Sequence, residues 1–212
     1  MKRGSYLSFF LSSLILISSC SIWRFNINDE TPLQIGVTNF DDIEDHLSRP
    51  REIITVMDNG IESIIYKYYY NTSIGKYAIS RQRQLNLEYI DGVLNGYLFS
   101  DSIDPEKTYF DEKLVSKIII GDTNKDGILK IFGKPPSTIM LPSNLLHISL
   151  EIEESYEHPT KAKYTWIYGY QYLAGISPAT MTWQYKFIII FFDANDIVVD
   201  SYYINNIIYP LL

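Results

Sequence analysis

A local pattern occurs twice in this chain at a constant spacing, and it limits the folds available more than any other feature. Gly121, Thr123, Asn124, Ile128, Phe132 and Pro135 fall on Gly36, Thr38, Asn39, Ile43, Leu47 and Pro50 at an offset of 85 residues. Each copy reads as a short capped helix. A threonine takes the N-cap and an acid follows three residues later, Asp41 or Asp126. That is the reciprocal capping pattern, with Asp in place of Glu. Ile43 and Leu47 are four apart, as are Ile128 and Phe132, so each pair shares one helical face. Proline ends each helix, and Gly133 suits a C-terminal cap that Ser48 replaces in the first copy.

The echo continues downstream. Ile64–Tyr70 corresponds to Tyr164–Tyr170, and Leu85–Leu94 to Ile189–Val198. Both later segments end in turn residues, Asp91-Gly92 and Ala194-Asn195-Asp196. The 18 tyrosines and the many isoleucines favour strands here. Two readings of the tyrosine excess stand: a half-buried sheet with wet phenol tips, or a face on which a ligand stacks. The predicted fold is α+β, two tandem helix-plus-antiparallel-β-meander units spanning 35–103 and 104–212. Asp104-Pro105 is expected to open a linking helix with Tyr109, Phe110, Leu114 and Val115 on its inner face. Phe187–Phe192, six apolar residues, reads as a buried strand. The tail Ile207–Leu212 is either a last element docked on the core or a partner contact.

The N-terminus reads differently. Lys2 and Arg3 precede an apolar run from Tyr6 to Ile17, then small residues, then Cys20, the single cysteine of the chain. Residues 1–19 therefore read as a signal peptide too short for a comfortable bilayer span. Ile17-Ser18-Ser19-Cys20 resembles the bacterial lipobox: aliphatic, small, small, cysteine. An ordinary cleavage site and an uncleaved anchor are the alternatives. The resemblance implies diacylation of the Cys20 thiol, palmitate being a usual chain, cleavage before Cys20 and a tether over 20–34. Two or three acyl chains, at about 0.8 kcal/mol per buried methylene, hold a protein on a membrane almost permanently. Ser21 follows the cysteine, and by resemblance to Gram-negative lipoproteins this implies the outer membrane, facing the periplasm. Loss of the two cations in the leader takes the formal charge from −7 to −9.

Chemistry is harder to find. A net charge of −7 gives no overall field for nucleic acid. One cysteine permits no internal disulfide and no thiolate metal cluster. Asp122-Thr123-Asn124-Lys125-Asp126-Gly127 copies the start of a calcium loop, but its twelfth position is Gly133, where a bidentate Glu belongs. Helix capping and the helix dipole explain the same acids. His46, His147 and His158 lack metal-ligand spacing. Gly175-Ile176-Ser177-Pro178-Ala179 departs from a nucleophile elbow, with Ala for the second Gly and no α/β pattern around it. Asn71-Thr72-Ser73 is a formal glycosylation triplet. No catalytic, cofactor-binding or metal-binding residue is assigned; Cys20, as lipid attachment point, is the one site residue. The expectation is a non-enzyme with no cofactor and no small-molecule substrate.

Gly121, Thr123, Ile128, Gly133, Pro135, Trp166, Tyr168, Phe191, Asp193 and Ile197, preceded by the segment Phe110–Lys117, resemble the BamE-like (SmpA/OmlA) lipoprotein family and the β-lactamase-inhibitor-protein-like fold. The departure is that BamE-like proteins hold one such unit. The resemblance implies a membrane-anchored protein-interaction module of the cell envelope, serving outer-membrane assembly or integrity. A secreted or anchored inhibitor or binder of a specific enzyme or peptide is the alternative.

Overall fold

The structure, a computed structural model, describes residues 33–44, 46–47, 49–58, 60–74, 79–103, 108–150, 158–177 and 180–208. Among these, α1 (Phe40–Glu44) leads into β1 (Glu52–Asp58), β2 (Ile61–Ile74), β3 (Ile79–Ile90) and β4 (Val93–Asp101). A 3-10 helix, Glu112–Lys117, and α2 (Lys125–Phe132) follow. Then come β5 (Ser137–Met140), α3 (Leu145–Leu150), β6 (Tyr164–Ser177), β7 (Thr180–Phe192) and β8 (Val198–Ile208). The strands lie side by side in chain order in one antiparallel sheet of eight.

This corrects the expected α+β fold of two tandem helix-plus-meander units. The fold is β-rich and its sheet is continuous. A meander ending at β4 would leave that strand's outer N–H and C=O groups without partners. β5 supplies them, pairing Ile139 with Gly96 and Thr138 with Tyr97. The join is close: a Cβ on Gly96 would stand 2.8 Å from Ile139 Cγ2. Ser137 strengthens it, its hydroxyl accepting from the Phe99 amide at 2.9 Å and donating to the Phe99 carbonyl at 3.3 Å. The helices stay short, five, eight and six residues, against strands of up to 14.

The caps sit one residue later than expected. Asn124, not Thr123, caps α2, its Oδ1 accepting from the Gly127 amide at 2.9 Å. At α1 the Asn39 amide donates to Asp42 rather than Asp41, at 2.9 Å. The threonines hold the preceding turns instead: Thr38 Oγ1 accepts from Gln34 N and Thr123 Oγ1 from Ile119 N, both at 2.8 Å. Gly36 N bonds Leu94 O as Gly121 N bonds Val198 O, and Asn39 bridges Val93 as Asn124 bridges Ile197. The repeated residues thus tie each short helix to the start of a strand. The expected opening of the linking helix at Asp104-Pro105 lies outside the described residues. Its described helical part is the 3-10 segment Glu112–Lys117, opened by Asp111, whose Oδ1 accepts from Lys113 N at 3.0 Å. Phe110 is buried before it, whereas Tyr109 is exposed.

Strand alternation fills both faces of the sheet. On one, α3 lays Leu145 and Leu146 against Ile65, Leu98, Ile139, Ile167, Ile189 and Phe191. On the other, α1 packs Ile43 and the following Leu47 over Tyr68, Leu85, Leu87, Tyr89 and Leu94. Farther along that second face, α2 and Phe110 cover Trp166, Tyr168, Ile188, Ile190 and Phe192. Fully burying one such side chain contributes about 1.5–3 kcal/mol before its ordering cost. Phe187–Phe192 is buried throughout, as expected, because helices or loops cover both faces at β7.

Candidate interaction surface

Among the described residues β1 is an outer strand, paired on one side only. Its sequence, Glu-Ile-Ile-Thr-Val-Met-Asp, alternates in burial. Ile54 and Val56 turn in and pack on the core beneath α3. Ile53 and Met57 turn to the opposite face and are 58% and 66% exposed. Among the described residues no helix covers that face at β1, since α1 is five residues long and its buried side chain rests on the cluster of β2, β3 and β4. Between Glu52 and Asp58 stand five uncharged residues with no Lys or Pro. Alternate N–H and C=O groups of such a strand face water, and proteins ordinarily guard them with charge, proline or a bulge. Glu52 pairs across the sheet with Lys67 at 3.4 Å.

The opposite edge, β8, is guarded. Asp200 lies within it. Tyr203 is drawn down onto the Phe110 ring, and its hydroxyl donates to Glu112 Oε2 at 2.5 Å. Lys186 donates to the other oxygen of the same carboxylate. The Lys186 hydrogen bond, then that of Tyr203, holds the Glu112 carboxyl below its ordinary range. Burial first, then the Glu112 hydrogen bond, pushes the Tyr203 phenol up to about 12. Tyr109 stands out beside Tyr170, ring centroids 5.2 Å apart.

Beneath α3 lies a polar group that sequence reading missed. Glu88 is fully buried. Its carboxylate accepts from Ser143 Oγ at 2.5 Å, Asn144 N at 2.8 Å and Asn95 Nδ2 at 2.9 Å. Asn144 Nδ2 reaches Ser63 Oγ at 3.0 Å, and Asn86 Nδ2 reaches Ser149 Oγ at 2.9 Å. These bonds fasten the start and end of α3 to β2, β3 and β4. In sequence, Glu88 alternates with Leu87 and Tyr89 and reads as a solvated position. The missing information was that α3 covers this face of the sheet.

The histidines fall in two places. His46 lies in the turn after α1. His147 and His158 come together, ring centroids 5.2 Å apart, with His158 also against Phe191 at 6.0 Å. Burial, then the neighbouring His147, holds the His158 pKa below its ordinary 6.5, against a hydrogen bond to the Ser143 backbone. No group of three or more His, Cys, Asp or Glu side chains that could hold a metal ion occurs among the described residues. In the Asp122–Gly127 stretch, Asn124 is committed to capping and Lys125 stacks over Trp166 and Tyr164 at 5.5 and 5.7 Å. Tyr164 donates to Asp196 Oδ1 at 2.6 Å, and burial, then this bond, raises its pKa. Asn71–Ser73 lies in β2 and Gly175–Ser177 at the end of β6. Cys20, the leader 1–19, the tether to residue 32 and the last four residues lie outside the described residues. Among the described residues no helix is long and apolar enough to cross a membrane.

Comparisons of this chain with protein-family models, curated proteins and solved structures return no match.

Proposed function

We propose that this protein is a lipid-anchored, non-enzymatic protein-interaction module of the cell envelope. The observation that carries the interaction half is β1, an unguarded sheet edge with Ile53 and Met57 exposed beside it. Exposed strand edges take partners by main-chain hydrogen bonding, with side-chain pockets supplying selectivity. The anchoring half rests on the likeness of Ile17-Ser18-Ser19-Cys20 to a lipobox. In a Gram-negative host the reading places the protein on the outer membrane, facing the periplasm, and the BamE-like resemblance suggests outer-membrane assembly or integrity as its setting.

A second reading, an inhibitor or binder of one soluble enzyme or peptide, is favoured by the tyrosines that reach solvent. Tyr109, Tyr202 and Tyr203 offer large, amphipathic contact area at low entropic cost.

Two measurements test these readings. Labelled palmitate should enter the wild type and not Cys20→Ala; equal labelling removes the anchor. A photo-crosslinker at position 53 should trap envelope-assembly proteins under the first reading. A crosslinker at position 109 should trap a single soluble target under the second.

A further inference from the structure

We propose that α3 is an acid-sensitive latch: the His147–His158 pair closes it on the sheet at neutral pH, and charging of the two imidazoles loosens it while the sheet beneath stays formed. This goes beyond the interaction reading and is independent of the anchor at Cys20.

The two rings come from elements that are held in different ways. His158 is tied to the sheet. The turn after it closes through Ala162 N to Pro159 O at 2.8 Å, and Lys163 N bonds Phe192 O at 2.7 Å. Its ring rests against Phe191, with 6.0 Å between centroids. His147 belongs to α3, whose six residues are too few for a helix to hold its shape without packing. Leu145 and Leu146 on the core, the Glu88 bonds at its start and the Asn86–Ser149 bond near its end supply that packing. The histidines add a clasp. Their ring centroids lie 5.2 Å apart, and His158 also hydrogen-bonds the Ser143 backbone, just before α3 begins.

Charging this clasp opposes closure in two ways. Both ring nitrogens of His158 are shielded from solvent, so its imidazolium forms there without hydration. Two like charges at this spacing also repel, more strongly than they would in water. Burial and then His147 accordingly hold the His158 pKa below its ordinary 6.5. Both costs vanish when α3 lifts. The open form therefore binds the proton more tightly, and acid favours it.

The charged groups around the pair do not offset this among the described residues. Lys161 and Lys163, exposed on the segment that carries His158, add charge of the same sign. Glu88, from β3, lies behind Ser143, and its carboxylate is taken up by Ser143, Asn144 and Asn95. Glu151, Glu153, Glu154 and Glu157 lie outside the described residues.

The test is hydrogen exchange of the full chain in mild detergent at pH 7.5 and pH 5.5, corrected for the intrinsic rate at each pH. An imidazole that is ordinary when open and depressed when closed shifts opening by up to about tenfold over this interval. Opening at the Leu146–Leu150 amides should therefore rise by about tenfold, and opening at Ile188–Ile190 by less than about twofold. In the double variant His147→Gln with His158→Gln the rise in α3 should fall below about threefold. Any acid response brought by carboxylates, Glu88 and the four glutamates included, persists in that variant, so the difference isolates the imidazoles. His147→Gln alone, in which the His158 contacts with the sheet remain, gives the same comparison if the double variant does not fold. Equal rises in α3 and β7, no rise in α3, or an undiminished rise in the variants overturns the proposal.

Discussion

Ser143 donates its hydroxyl to the buried carboxylate of Glu88 across 55 residues of chain, and the next backbone amide, Asn144, donates to the same group. One acid on the sheet thereby fixes where α3 begins. Removing it leaves two or more donors buried without an acceptor, at about 1–3 kcal/mol each. Glu88→Ala is expected to lower the stability by about 3 kcal/mol in urea unfolding. Hydrogen exchange at Asn144 and Leu145 should rise with it. An unchanged midpoint would show that α3 is held by Leu145 and Leu146 without the acid.

Gly169 faces Phe187 across β6 and β7, and Phe187 lies over it. A Cβ there would stand 2.0 Å from Phe187 Cδ1 and 2.7 Å from the Lys186 carbonyl. The ring cannot swing aside freely within a packed core, and overpacking costs about 1–3 kcal/mol. Gly169→Ala should therefore destabilise the protein by at least ~2 kcal/mol. Adding Phe187→Leu to that variant should recover part of the loss, read as a higher thermal midpoint than the single variant.

Tyr89 and Tyr168 are both buried phenols with opposite bonding. Tyr168 donates to the Gly133 carbonyl at 2.7 Å, closing the end of α2. The Tyr89 hydroxyl meets no hydrogen-bond partner among the described residues. A buried unpaired hydroxyl costs more than it returns. Tyr168→Phe is expected to cost about 1 kcal/mol, whereas Tyr89→Phe should be neutral or stabilising by up to about 1 kcal/mol. Chemical denaturation of the two variants side by side checks the difference in sign.

His158 is held below its ordinary pKa of 6.5, so on acidification the unfolded chain takes up the proton first. Its contribution to stability is fully present above pH 6.5 and is lost as pH falls from there toward the folded-state pKa. Thermal midpoints measured from pH 7.5 down to pH 5 should fall, and His158→Leu should flatten that part of the curve. Acids titrating below pH 5 add their own slope, so the comparison is confined to the upper window. Identical slopes in the two proteins would remove His158 as the cause.

Much of this architecture is written locally. The short helices α1 and α2 and the turns at Asp91-Gly92 and Ala194–Asp196 can be located from residue types. So can the long Tyr- and Ile-rich strands and the buried run Phe187–Phe192, because each depends on neighbours within a few positions. The cap expected on Thr123 falls one residue later, on Asn124, because only hydrogen-bond geometry separates two adjacent polar side chains that both favour an N-cap. How the strands join was not local. The pairing of β4 with β5 depends on Gly96 and Ile139 meeting across 43 residues, and no periodicity in either segment announces it. That contact turns two expected units into one sheet. With α3 laid across the face opposite α1 and α2, Glu88, which reads as a surface residue, is buried. Residue types determined which pieces form. The tertiary structure decided which backbone edge stays free and which charge is taken out of water, because both depend on what covers a strand from outside it.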